Sequence, residues 1–587
     1  MKRSVFAVFT SLALLIGSGS TVRAADAVAV DQKLPSNVML FFSFPNVTEF
    51  KAQWQNTTMA KLYEDERFAD FWEDVSVQVE RASDELEQNV GLTLKQLASI
   101  PTGEVAMAVV AKPKQEVGIV SFLDFGDKED AVDQLLNQAQ EKLEQTDAER
   151  DVVEFEGTQI VVYSFPQIEE SDTPFKPKLA YCVKDSTLMF GSTVDVLKES
   201  LVRWDGQHED TFSGNSSYKY ILSKCKYEDA KPGVKWFADP LSGLQAGLRA
   251  AAAENPQVAF ASAFLPILGV NNLKGMGGAS YVAAGEFEEV SKTLLHVEQP
   301  VAGLLNLFRF PETDLAPPAW IPADVDGFTI TNWDAAAAYT SIETLVDNFV
   351  FRQPGGLRAK IDEIAEQEGG VGVNIKTDII DQMDGPIYTV NYGTGEAAAS
   401  AIGTPTPGMP KTVVALTLKD EKKMQGLVGK LLDNGGDAIE ARDFNGETIY
   451  DLKVDPQAAG AAGANFSGVS FAVSKGLFIF STDAKDLEQI LRDKRVEPVA
   501  ELPEYKKIAA HFPAKTSMLS FQRRNSQLES VYEFAKSGQL GDQIPGVDFT
   551  KLPEFSVIKD YLPMMGGYTV PDDRGALFVN FSIPTKE

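Results

Sequence analysis

The run from Val38 to Phe44, apolar at every position but Ser43, and the run from Val325 to Thr331 each predict a strand limited on its N-terminal side by a proline, Pro35 or Pro322. Steps of three and four follow the first strand. Phe68, Phe71, Trp72, Val75, Val79, Ala82 and Leu86 fall on one face of a helix, and such an aromatic stripe is ordinary core packing. Asn46, with Glu49 three residues on, predicts a helix cap in front of it. After Gly103 and Gly385 the pattern changes to β, predicting strands over Val105–Val110, Gly118–Leu123, Ile387–Tyr392 and Val413–Leu418. A second helix follows each pair. In the later one Met424, Leu427, Val428, Leu431 and Leu432 make an apolar stripe behind Asp420 as N-cap, and Asp127 holds that place in the earlier one. Glycine at Glu156-Gly157 and Asn445-Gly446 predicts tight hairpins. A further hairpin on each side, Leu179–Phe190 and Val469–Phe480, leads into a helix capped by Ser192 or Thr482.

The pattern runs twice. Leu34-Pro35-Ser36-Asn37-Val38 answers Ile321-Pro322-Ala323-Asp324-Val325, Tyr218-Lys219 answers Tyr505-Lys506, and Met276-Gly277-Gly278 answers Met565-Gly566-Gly567. The expectation is two tandem, diverged copies of one module, residues 34–299 and 320–587, joined by a proline-rich connector over 300–319. Hairpins outnumber β-helix-β crossovers, so the fold class is α+β. Each copy is expected to be a mainly antiparallel twisted sheet with helices packed on one face. The Met-Gly-Gly pair is expected to form a turn before a strand. Gly393–Pro410 and Pro456–Gly468, rich in Gly, Ala and Pro, read as loops of the second copy.

Residues 1–24 have the three parts of a secretory signal: Lys2 and Arg3, an apolar run from Val5 to Ile16, and small residues ending at Ala24. The run is short of the ~20 residues that a spanning helix needs, so cleavage is expected and no integral membrane segment follows it. Net charge is −30, and loss of Lys2, Arg3 and Arg23 with no acid makes it −33. Nucleic acid is excluded as a partner, because neutralising phosphates takes clustered Lys and Arg. Two cysteines, Cys182 and Cys225, both in the first copy, could form a disulfide in an oxidising compartment or lie as two buried thiols.

Chemistry is sparse. His208, His296 and His511 are scattered, with no zinc spacing, and there is no nucleophile elbow or phosphate loop. Asp378, Asp381 and Asp384 recur every three residues, but the first copy has Leu97, Ser99 and Thr102 in that region, which weakens a cation site. No catalytic, cofactor-binding or metal-ligating residue is singled out.

The Leu-Pro-x-Asn-Val opening, Gly91–Val105, and Glu298–Leu305 before Pro318–Val325 together resemble a domain-of-unknown-function family of exported, planctomycete-type bacterial proteins. The resemblance implies export and brings no catalytic residues. The expected function is a non-enzymatic, exported two-lobed binding or envelope-associated protein, with a small-molecule or envelope partner in the groove between lobes. The alternatives are an extracytoplasmic hydrolase with a carboxylate-based site and a structural or adhesive component of the cell surface.

Overall fold

The computed structural model describes residues 28–585, apart from 91, 113–116, 147, 167–177, 256, 259–261, 263, 267, 302, 367–371, 395–397, 400–404, 407–409, 436–438, 453–468, 493–495 and 540–545. The signal segment and Pro456–Gly468 therefore lie outside the described residues. The chain divides into two compact units, one of residues 1–263 and 273–296, the other of 264–272 and 297–587.

The first unit is α+β. Its strands are β1 (Val38–Phe44), β2 (Val105–Ala111), β3 (Val117–Asp124), β4 (Glu149–Phe155), β5 (Thr158–Ser164), β6 (Lys178–Lys184), β7 (Thr187–Gly191), β8 (Val234–Ala238), β9 (Leu273–Ala284) and β10 (Phe287–Val297). They lie side by side in the order β10-β9-β8-β1-β2-β3-β7-β6-β5-β4. Neighbours run antiparallel, and short hairpins join β2 to β3, β4 to β5, β6 to β7 and β9 to β10. Glu156-Gly157 at the β4–β5 turn has φ of 49° and 74°, the left-handed pair that a two-residue hairpin demands.

The second unit holds β11 (Gly327–Thr331), β12 (Met383–Thr394), β13 (Ala398–Ala399), β14 (Pro405–Thr406), β15 (Pro410–Leu418), β16 (Ile439–Phe444), β17 (Glu447–Leu452), β18 (Val469–Ser474), β19 (Leu477–Ser481), β20 (Met518–Gln522), β21 (Met564–Asp572) and β22 (Gly575–Ile583). Apart from the small β13–β14 ladder, which occupies part of the expected Gly393–Pro410 loop, its order is β22-β21-β20-β11-β12-β15-β19-β18-β17-β16. Strand for strand, this is the pairing order of the first unit. An aromatic trio recurs with it. Phe41 faces Phe237 across β1–β8 with Tyr218 against both, and Phe328 faces Phe521 across β11–β20 with Tyr505 against both.

Helices cover both faces of the first sheet, where one face was expected. On one face Leu123 and Leu188 join Leu92, Leu97 and Val132 from the helices α1 (Leu94–Ser99) and α2 (Glu129–Glu144) and the loop before α1. On the other, Val196 and Leu197 of α3 (Val194–Val202) press so close that a Cβ on Gly118 would come within 2.1 Å of Val196. A sheet whose strands are apolar on both faces needs a cover on each.

Two further expectations shift for local reasons. Met276-Gly277-Gly278 and Met565-Gly566-Gly567 lie inside β9 and β21, where they were expected to turn. Glycine is needed there for close approach: a Cβ on Gly278 would sit 2.0 Å from the Lys292 carbonyl oxygen, and one on Gly566 2.6 Å from Ile508. Ser192 and Thr482 do not cap their helices. Each accepts a hydrogen bond from the neighbouring strand, Ile119 N–H and Thr412 N–H at 2.9 Å, and the N-cap position moves one residue on, to Thr193, which makes no side-chain cap bond, and to Asp483, which accepts from the Lys485 N–H. Asp420 and Asn46 do cap, accepting from Lys423 and Glu49, whereas Asp127 yields its place to Lys128.

Part of the proline-rich connector is laid along the second unit. Thr313 pairs with Thr516, Leu315 is buried, and the Trp320 ring meets Tyr388 edge-on at 5.4 Å.

Candidate functional site

Over the paired strands the register of the two sheets corresponds, so strand positions of one unit can be set against those of the other, and those that differ in character stand out. Three groups do so.

The first is a buried ionic latch in unit one. Ser43 and Lys235 are paired across β1–β8, as Ile330 and Leu519 are across β11–β20. Glu104 precedes β2 where Pro386 stands in β12. A serine, a lysine and an acid thus stand where the second unit has Ile330, Leu519 and Pro386. Asp31 reaches them from the short helical turn Val30–Lys33. The Tyr218 hydroxyl donates to Asp31 Oδ2 at 2.9 Å and the Lys235 ammonium to the same oxygen at 3.0 Å. Ser43 donates to Glu104 Oε1 at 2.5 Å and the Val30 N–H to Oε2 at 2.8 Å. Burial pushes the Glu104 carboxyl up, opposed by Lys235, Ser43 and Val30 and reinforced by Asp31. It raises the Tyr218 hydroxyl as well, with Asp31 adding to it. Beside the latch, Lys33 lies 3.7 Å over the Trp204 ring, its ammonium lowered by burial against the pull of Glu104, Asp124 and Asp185. Serine, lysine and glutamate are residue types of nucleophilic catalysis. Here Ser43 is wholly buried and its proton is committed to Glu104, so the group holds the N-terminal segment in the core and offers nothing to a substrate.

The second is an acidic group in unit two. Asp486 in α4 (Ala484–Leu491) replaces Val196, Tyr392 replaces Val110, and Lys411 replaces Gly118. Lys411 bonds Asp483 at 2.6 Å. Asp486 is 8% exposed. Burial pushes its carboxyl up to about 6, with Asp483 and Asp324 adding and Lys411 opposing. The buried Tyr392 hydroxyl is raised by burial and by Asp486 and Asp324. Among the described residues neither Asp486 Oδ2 nor the Tyr392 hydroxyl has a hydrogen-bond partner.

The third is an open face. Leu40 and Phe42 of β1, Met107 of β2, and Val117 and Ile119 of β3 are between 39% and 49% exposed. Register makes them one patch: Phe42 is opposite Met107, Leu40 opposite Val109, and Val109 opposite Ile119. The equivalents of Leu40, Val109 and Ile119 are Gly327, Asn391 and Thr412, and those of Phe42 and Met107 are Thr329 and Thr389. The same surface is apolar in one unit and polar in the other.

The residues weighed for chemistry in the sequence remain apart. Asp378 accepts from the Asn374 N–H at 2.9 Å and Asp381 pairs with Lys376. Among the described residues no three His, Cys, Asp or Glu side chains could hold a metal ion. His208 accepts from the Asp210 N–H, His296 lies against Tyr220, and His511 lies edge-on to Phe581. Cys182 and Cys225 are separate buried thiols, each pushed up to about 12 chiefly by burial. Among the described residues no helix is long and apolar enough to cross a membrane.

Comparison adds no relative: no family model, no curated protein and no solved structure matches the chain.

Proposed function

We propose that the chain is an exported, non-enzymatic binding protein, built from two diverged copies of one module, in which the first copy carries the interaction on its open sheet face. One observation supports this most: four large apolar side chains, Leu40, Phe42, Met107 and Ile119, stay exposed at positions where the second unit has Gly or Thr. Contiguous apolar surface of this kind marks interaction sites, since a solvated face gains nothing from it. The signal-like N-terminus supports export, and the net charge of −30 disfavours anionic surfaces as the partner. Introducing Met107→Glu should leave the melting temperature within a few degrees of wild type and release the protein from the envelope fraction of its host. Unchanged partition between envelope and soluble fractions would count against the reading.

A carboxylate-based hydrolase is the second reading, favoured by Asp486. A carboxyl raised toward neutrality is the form in which an acid donates a proton during catalysis. Its weakness is that Asp486 is nearly sealed among side chains of its own unit. A panel of esters, glycosides and peptides decides it: no turnover, or turnover unaltered by Asp486→Asn, sinks the hydrolase.

A further inference from the structure

The geometry points to a second copy of this chain as the occupant of the open face, the two first units meeting face to face through β1, β2 and β3. This rests on the binding reading above and names its partner.

The kind of contact follows from the strands. β1 lies between β8 and β2, β2 between β1 and β3, and β3 between β2 and β7, so the backbone donors and acceptors of the patch are already spent within the sheet. A partner strand cannot add to it by hydrogen bonding. Only side chains are on offer, and the regular complement of a twisted sheet face is another sheet face at about 10 Å. A twofold pairing needs a surface that complements itself, and most homo-oligomers are built this way.

Charge narrows the partner. The positions of the patch are Leu40 and Phe42 on β1, Met107, Val109 and Ala111 on β2, and Val117, Ile119 and Ser121 on β3, with no ionisable group among them; further along the same face Val105 and Leu123 are covered by α1 and α2. Two chains of charge −30 repel wherever acids face one another. This face is where they can meet without that cost. The polar equivalents Thr329, Thr389, Asn391 and Thr412 leave the second unit without such a surface.

Area agrees. Taking roughly 150–200 Å² of surface for each large side chain, the five exposed residues leave roughly 400 Å² of apolar area open. A stable interface buries about 800 Å² per partner, and homodimer interfaces are about 65% apolar. The patch accounts for the greater part of that apolar core, and its neighbours on the same face supply a rim.

The test is sedimentation of the full exported chain over a concentration series, alongside a variant carrying Phe42→Thr, Met107→Thr and Ile119→Thr, the residues that the second unit has at these positions. Wild type is expected to sediment at twice the chain mass in the micromolar range. The triple variant should weaken self-association at least about 100-fold, the size of loss that removing central interface anchors produces. Thr389→Glu on the polar face of the second unit should leave the dimer as it is. Added salt should tighten the dimer by screening like charge, opposite to an interface held by ion pairs. Wild type that stays monomeric at about 100 µM in 0.5 M salt overturns the proposal, as does a triple variant that dimerises like wild type. If the monomeric outcome comes with loss of envelope association in Met107→Glu, self-pairing fails and the binding reading stands, the partner being another protein. If neither association changes, both fall.

Discussion

Asp486 shows how a single residue difference between corresponding positions of two like sheets places a titrating group in a core. Valine at that place in the first unit packs against Gly118, whereas aspartate in the second lies near Asp483 and Asp324 with Lys411 as counter-charge. Its folded carboxyl is pushed up to about 6 from an ordinary value of 3.8, so the native state holds the proton more tightly than the unfolded chain. The stability this contributes is complete below about pH 4 and is lost as pH rises through about 6. Solvent screening discounts the gain to about 1–2 kcal/mol. Asp486→Asn should therefore flatten the dependence of the urea midpoint on pH between 4 and 6. A midpoint profile identical to wild type would show that the carboxyl does not titrate there. None of this was legible in the sequence, where Asp486 is one of 84 acids. Only the register that sets it opposite Val196 marks it out.

Among elements, the central glycines of β9 and β21 separate two uses of one residue. Gly157 has a φ of +74° and open space beyond its Cα, so it serves the turn; Gly278 has an ordinary backbone and the Lys292 carbonyl oxygen 2.0 Å from where its Cβ would lie. In β21, Gly567 faces the ends of the Asn580 and Ser520 side chains, which can move. Gly278→Ala should cost about 1–3 kcal/mol as overpacking against fixed backbone, and Gly567→Ala clearly less, both measured by chemical denaturation. Equal costs would remove close approach as the reason for the conserved pattern within the chain. The same contrast explains what could be read beforehand. Glu156-Gly157 between apolar runs specifies its hairpin locally, whereas Met-Gly-Gly carries the same glycine signal for close approach to a paired strand. The Ser192 and Thr482 hydroxyls mislead likewise, because a cap and a bond to the next strand call for the same residue type.

Across the whole molecule, the strand and helix order was legible because period, proline and turn glycine are local signals, repeated in two halves. The second helical layer and the open patch were not, since an outward-facing Phe42 and an inward-facing Phe41 look alike in sequence. The latch was hidden by distance. Asp31 meets Tyr218 and Lys235 across 187 and 204 intervening steps of chain, and none of these residues belongs to a linear motif. That separation has a kinetic consequence. Contacts so far apart close late, because the entropy of a long loop must be overcome before they form. The segment around Asp31 is thus among the last to be fastened, and it stays loose until most of the first sheet has been made. Under the export proposed above, a chain threaded through a membrane before folding needs that delay, and here it is written into which residue waits for which.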